Sequence, residues 1–132
     1  MRSVKAGVAV AAAVAFIATS SATGWAQGEW KAPADAKNMK NPEKGTDAGK
    51  KSVGTNCAAC HGPQGKGDGP AAAALTPKPA NWTSDKVKKE SDGELFWKIT
   101  NGRGPMPPWK HLPEKERWQI VNYIRTLQGA KK

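Results

Sequence analysis

The chain has 132 residues, 38% of them hydrophobic, with two cysteines and a formal charge of +10 from 21 basic and 11 acidic side chains. That length leaves no space for a second folded domain beside an export segment, and two cysteines cannot build a disulfide scaffold. The basic excess points to acidic partners; no nucleic-acid-binding motif accompanies it, so nucleic acid is not an expected partner.

The first 26 residues read as a secretory signal peptide. Arg2 and Lys5 form a positive start, Ala6 to Ala18 is an apolar run of small side chains, and Gly24-Trp25-Ala26 is a small-x-small cleavage signal. The apolar run is too short to span a membrane, which takes about 20 such residues. The mature protein is therefore expected in the periplasm, and losing Arg2 and Lys5 leaves it at +8. Residues 27–45, "KAPADAKNMKNPEKG" included, read as a flexible, solvated lead-in rich in Lys and Pro. The remaining 46–132 read as one domain.

"TDAGKKSVGTN" predicts a first helix running into Cys57, with Gly49 placed for close approach of another backbone. "CAACH" follows, Cys57 to His61. A disulfide there closes a very small loop and staples nothing distant. Structural zinc needs four ligands, and His111 is the one further nitrogen donor. Cys-x-x-Cys-His is also the c-type haem attachment pattern, and in an exported chain with no other cysteine it favours one covalent haem c. Two thiols on one helical turn match two vinyl groups on one porphyrin edge, with the imidazole next to them under the iron.

The loop "GPQGKGDGP" is glycine-rich for tight turns. It is not a phosphate loop, since Gly65-Lys66 is followed by Gly67 and not by Ser or Thr. "LTPKPANWTS" reads as extended. Ser91 and Glu94 form a capping box opening a helix with Leu95, Phe96, Trp97 and Ile99, which Asn101-Gly102 ends. Met106 follows in "NGRGPMPPWK", a proline-stiffened loop able to hold a thioether at a defined point. Its alternatives are an ordinary buried methionine and His111 as the rival iron ligand. The last helix opens at Pro113 with Glu114 and Glu116 in its first turn, puts Ile120, Tyr123, Ile124 and Leu127 on one face, and stops at Gly129.

"CAACHGPQGKGDGP", "DGELFWKITNGRGPMPPW" and "ERWQIVNYIRTL", in that order, resemble a class I c-type cytochrome of the small bacterial soluble monohaem kind, over about Gly49 to Leu127. The resemblance implies an all-α fold of about four helices wrapped around one haem. It implies thioether bonds at Cys57 and Cys60, with His61 and Met106 as the two axial iron ligands. It also suggests that Pro70 offers its carbonyl to His61. Where the family often has an aromatic four residues before the first cysteine this chain has Val53, so a weaker contact between first and last helices is expected. Trp82, Trp97, Trp109 and Trp118 are expected in the core or against the haem, with Trp82 also a possible donor to a haem propionate. A thin core of about 80 residues needs such a staple.

The expected role is one-electron transfer, not enzymatic catalysis, between acidic-faced redox proteins, a donor and an acceptor. Lys66, Lys78, Lys86, Lys88, Lys89, Lys98, Arg103 and Lys110 would form the docking face. The expected protein is a monomer; the alternatives are a haem subunit associated with a larger membrane oxidoreductase, or a small-ligand-binding haem protein.

Overall fold

A computed structural model describes residues 28–130. The signal-peptide reading, residues 1–26, lies outside the described residues. Among these the secondary structure is helical, without β-strands, and no helix is long and apolar enough to cross a membrane. Three helical stretches carry the fold. The first runs from Asp47–Ser52 (α2) through a widened turn, Val53–Cys57, into Ala58–His61 (α3). The others are Asp92–Asn101 (α5) and Glu114–Leu127 (α6). Short turns of helix at Ala34–Asn38 (α1), Ala72–Ala74 and Asp85–Lys88 (α4) complete it. The last two fall between the stretches to which the sequence assigned a structure; Ser84, accepting from the Val87 amide, supplies the cap that starts α4.

The capping box of α5 forms in both directions: the Ser91 amide donates to Glu94 Oε2 at 2.6 Å and the Glu94 amide to Ser91 Oγ at 3.2 Å. Gly102, at φ 60°, ends the helix. On α6, Ile120 and Ile124 are buried as their spacing predicts, with Tyr123 and Leu127 partly buried beside them. The helix is covered beyond that face, because Trp118, Val121 and Asn122 are buried as well. Trp118 stacks on Phe96 of α5 at 3.9 Å and 11°.

Two expectations need correction. Val53 does not weaken the first-to-last helix contact. It is 2% exposed, within the core, and the helices meet backbone to backbone: a Cβ on Gly49 would lie 2.0 Å from the Gln119 carbonyl oxygen. Nor does the stretch from residue 28 to 45 hang free of the domain, although most of its residues are exposed. Ala36 is buried, and the amide of Asn122, deep in α6, donates to the carbonyls of Glu43 and Gly45 at 2.9 and 3.0 Å while accepting from Asn41 at 2.9 Å. The polar composition that reads as linker supplies backbone carbonyls and short amides to a buried polar socket.

Candidate haem site

The CAACH segment sits where the helix changes pitch. The Ala58 amide bonds the Val53 carbonyl, five residues back, so one turn is widened just before the cysteines. After His61 the chain reverses. Gly67 and Gly69 return their amides to the carbonyls of His61 and Cys60 at 2.8 and 3.1 Å, and Ala71 does so for Ala59 at 2.9 Å. The glycine loop thus satisfies the carbonyls a helix end leaves open. Gly65, at φ 69°, lies under Trp82: a Cβ there would be 2.3 Å from Trp82 Cε3. Its carbonyl accepts from the Trp82 amide at 2.7 Å.

Trp82 in turn stacks on the His61 ring at 4.6 Å and 25°. His61 Nδ1 lies 3.0 Å from the Ala80 carbonyl oxygen. A carbonyl can only accept, so Nδ1 carries the proton and Nε2 keeps its lone pair. Burial lowers the His61 pKa, a trend the Ala80 bond opposes, so the ring is held neutral, as a metal-binding imidazole must be. The carbonyl expected from Pro70 comes from Ala80 instead. Pro70 is exposed on the returning glycine loop, while Ala80 lies beside Trp82, which the loop holds against the ring. The Trp82 indole is thereby used as a wall for His61.

Met106 occupies a tight turn. The Arg103 amide donates to the Met106 carbonyl at 2.9 Å and the Met106 amide to the Arg103 carbonyl at 3.1 Å. Gly104, at φ 58°, turns the chain between them. The Trp109 amide ties the loop back to Ile99 of α5 at 3.0 Å. Arg117 grips both ends of the loop. Its Nε donates to the Leu112 carbonyl at 3.1 Å, Nη1 donates to Thr100 Oγ1, and the guanidinium lies 4.8 Å above the Phe96 ring.

Cys57, Cys60, His61 and Met106 all line one largely apolar cavity of about 350 Å³. Val87, Leu95, Ile99, Ile120 and Ile124 form much of its wall. His111 is exposed and touches Trp109, not the cavity. Met39 is 39% exposed and also outside it. Trp82 and Trp109 line the cavity; Trp97 is half-buried elsewhere, and Trp118 belongs to the core. Of the eight predicted basic residues, Lys78, Lys86, Lys98 and Arg103 line its mouth. Three residues the sequence reading did not assign to the site, Gly28, Glu29 and Trp30, line it as well; an indole in a Lys/Pro-rich stretch was the one available signal.

The donor set fits a haem and little else. Burial, and then the neighbouring Cys60, push the Cys57 thiol up to about 11. A thiol kept protonated is a poor nucleophile for disulfide exchange. Among the described residues no three His, Cys, Asp or Glu side chains converge as zinc would require. Two thiols one turn apart, a neutral oriented imidazole and a thioether around a single apolar hollow are what a porphyrin attached through its edge needs. The arrangement defines a c-type haem protein.

Comparison with known proteins narrows this. Residues 46–128 match the Cytochrome c family, and the chain belongs to it. It is a class I c-type cytochrome with one covalently bound haem c. Over 101 residues it is 38% identical to a protein of Azospirillum sp. (strain B510) described as cbb3-type cytochrome c oxidase subunit CcoP. The match takes in 67% of this chain but 32% of that protein. Among solved structures it resembles a chain of the Kuenenia stuttgartiensis reducing HAO-like protein complex, with a TM-score of 0.57 and 27% identity, over 67% of this chain and 45% of that one.

Proposed function

We propose that the protein transfers single electrons through its haem, without a substrate site of its own. The observation that carries this reading is the convergence of Cys57, Cys60, His61 and Met106 on one apolar cavity. Cys57 and Cys60 would hold the porphyrin through thioether bonds, and His61 and Met106 would ligate its iron. When bound, the haem provides a one-electron couple. The chain's own groups set its character: the Ala80 carbonyl fixes the His61 tautomer, Trp82 fixes the ring plane, and the Met106 thioether and the apolar wall favour the reduced state, raising the potential. With the iron held by these two side chains, the site would offer no open position for substrate chemistry.

The protein works outside the cytoplasm, exported by its first 26 residues. Lys78 and Lys86, exposed beside the cavity, steer acidic-faced donors and acceptors to the haem edge. Their encounter rates should fall as salt is raised through the range where the screening length drops to about 10 Å. A second reading, a fixed subunit of a larger redox assembly, is favoured by one observation: the Azospirillum and Kuenenia proteins named above are each described as part of such an assembly.

The deciding measurement is the optical spectrum of the exported protein, oxidised and reduced. Haem c bands together with the weak ferric band of a sulfur–iron bond are expected, and Met106→Ala should abolish the second while leaving the first. Haem without the sulfur band would sink the assignment of Met106. Carrier and subunit separate on salt-washed membranes: a carrier is released, a subunit stays.

A further inference from the structure

The sequence before residue 46 lies outside the family match, yet it reaches the cavity. Gly28, Glu29 and Trp30 line the same hollow as the two cysteines, His61 and Met106. Trp30 is half-buried there. Two cations hold this strap. Lys98 Nζ lies 5.4 Å from the centre of the Trp30 ring while paired with Glu90 at 2.7 Å, and its side chain is 14% exposed. Arg103 Nη2 donates to the Gly28 carbonyl at 2.7 Å. Arg103 is also the residue whose amide and carbonyl close the turn onto Met106, so the strap is joined directly to the methionine turn.

The strap does not drape there by chance of chain length. Downstream of it, α1 is seated on the start of α5: Gly93 gives way to the Ala36 carbonyl, where a Cβ would stand 1.9 Å away. Ser91 Oγ, besides capping α5, donates to the Lys37 carbonyl at 2.9 Å. Below that seat, Asn41 is held by Asn122. The stretch from residue 31 to 45 is therefore an anchor, and its length sets where Trp30 comes to rest.

We propose that residues 28–30 form an additional wall of the haem pocket, with the Trp30 indole against the porphyrin, closing the approach to the iron on the Met106 side. A large apolar ring suits a largely apolar cavity, and the Lys98 cation over the ring keeps it there. The shielding part of this inference rests on the proposed role of Met106 as iron ligand; the placement of Trp30 against the haem does not.

The test uses the full-length holoprotein and its Trp30→Phe and Trp30→Ala variants, with imidazole as the added ligand. In the reduced, diamagnetic protein, the indole proton resonances that vanish in Trp30→Phe should be displaced by the porphyrin ring current. In the oxidised protein, Trp30→Ala should bind imidazole on the order of tenfold more tightly than wild type, because a larger fraction of molecules becomes accessible. Trp30→Phe should keep most of the protection. Indole resonances at ordinary positions would overturn the proposal. So would unchanged imidazole binding by Trp30→Ala in a protein that shows the sulfur–iron band. A wild type without that band would count against Met106 alone, and the ring-current shift would still decide where Trp30 lies.

Discussion

The two sides of the cavity are held in different ways. His61 is fixed from nearby in the chain: the widened turn before it, the glycine loop after it, and the Ala80 carbonyl and Trp82 ring that the loop brings round. Most of these are backbone hydrogen bonds within some twenty residues of His61. Met106 sits on a proline-flanked turn whose own closure is one pair of bonds. Beyond the backbone bond from Trp109 to Ile99, its position relative to the cavity depends on side chains from elsewhere: Arg117 of α6, and the Arg103 link to Gly28. A wall built from local backbone should resist substitution of distant residues and fail at its glycines. A wall built from distant tethers should do the reverse.

The largest effect is expected at Gly65. An alanine there takes on a left-handed backbone, about 1–2 kcal/mol, and drives its methyl into the Trp82 ring, a further cost of about 1–3 kcal/mol. Thermal unfolding of Gly65→Ala should show a loss on the order of 3 kcal/mol. The sulfur–iron band should survive in whatever folds, since nothing on the Met106 side touches Gly65. A stable Gly65→Ala protein would mean that Trp82 is not wedged by the loop, and the contrast between the two walls would lose its first half.

The same contrast explains what could be read before the structure. CAACH, the Ser91–Glu94 box, Gly102 and the α6 stripe are short-range signals in which spacing and residue type carry the physics, and each lies where the sequence placed it. The stiff turn that carries Met106 was legible for a related reason: three prolines flank it. Apart from the short turns Ala72–Ala74 and Asp85–Lys88, the misses involve distant partners. No local pattern tells that the amide of Asn122 will collect the carbonyls of Glu43 and Gly45, so the lead-in reads as solvated. None tells that Ala80, and not the loop proline, reaches His61, because that depends on how three glycines fold the loop back. Gly49 is intermediate: its smallness predicts a close approach, and only the structure supplies Gln119 as what approaches.

A smaller effect, on the opposite wall, is expected for Arg117→Met. Arg117 is 9% exposed, and among the described residues it forms no carboxylate ion pair; a carbonyl, a hydroxyl and the Phe96 face receive its guanidinium. Methionine fills much of the space and leaves the Leu112 carbonyl without this donor. That should cost about 2 kcal/mol, the range for losing hydrogen bonds to a charged group. The sharper readout is spectroscopic. With both ends of the loop loosened, the sulfur–iron band should weaken or yield to imidazole at lower concentration, while the haem stays attached. Arg117→Lys should restore part of the band by replacing one donor. If stability falls and the band is untouched, the loop holds Met106 by its prolines alone.

The smallest effect tests whether the His61 wall is as local as it looks. Gln128, one residue past the end of α6, donates from Nε2 to the Trp82 carbonyl at 2.7 Å and accepts at Oε1 from Arg125 Nη1 at 2.9 Å. Arg125 in turn holds Asp92 Oδ1 at 2.7 Å and the Glu90 carbonyl at 2.5 Å, at the head of α5. A distant side chain therefore does reach Trp82, and through it the His61 ring. Gln128→Ala should cost only about 1 kcal/mol, one net hydrogen bond, since the Trp82 amide stays bonded to Gly65 and the ring stays wedged. Unfolding midpoints of Gln128→Ala, Gly65→Ala and the double variant separate the two supports. If the glycine loop holds Trp82 by itself, the two losses add to within about 0.5 kcal/mol. If the double variant loses clearly more than the sum, each support is masking the other, and the wall around His61 is a long-range structure that merely has local bonds at its surface.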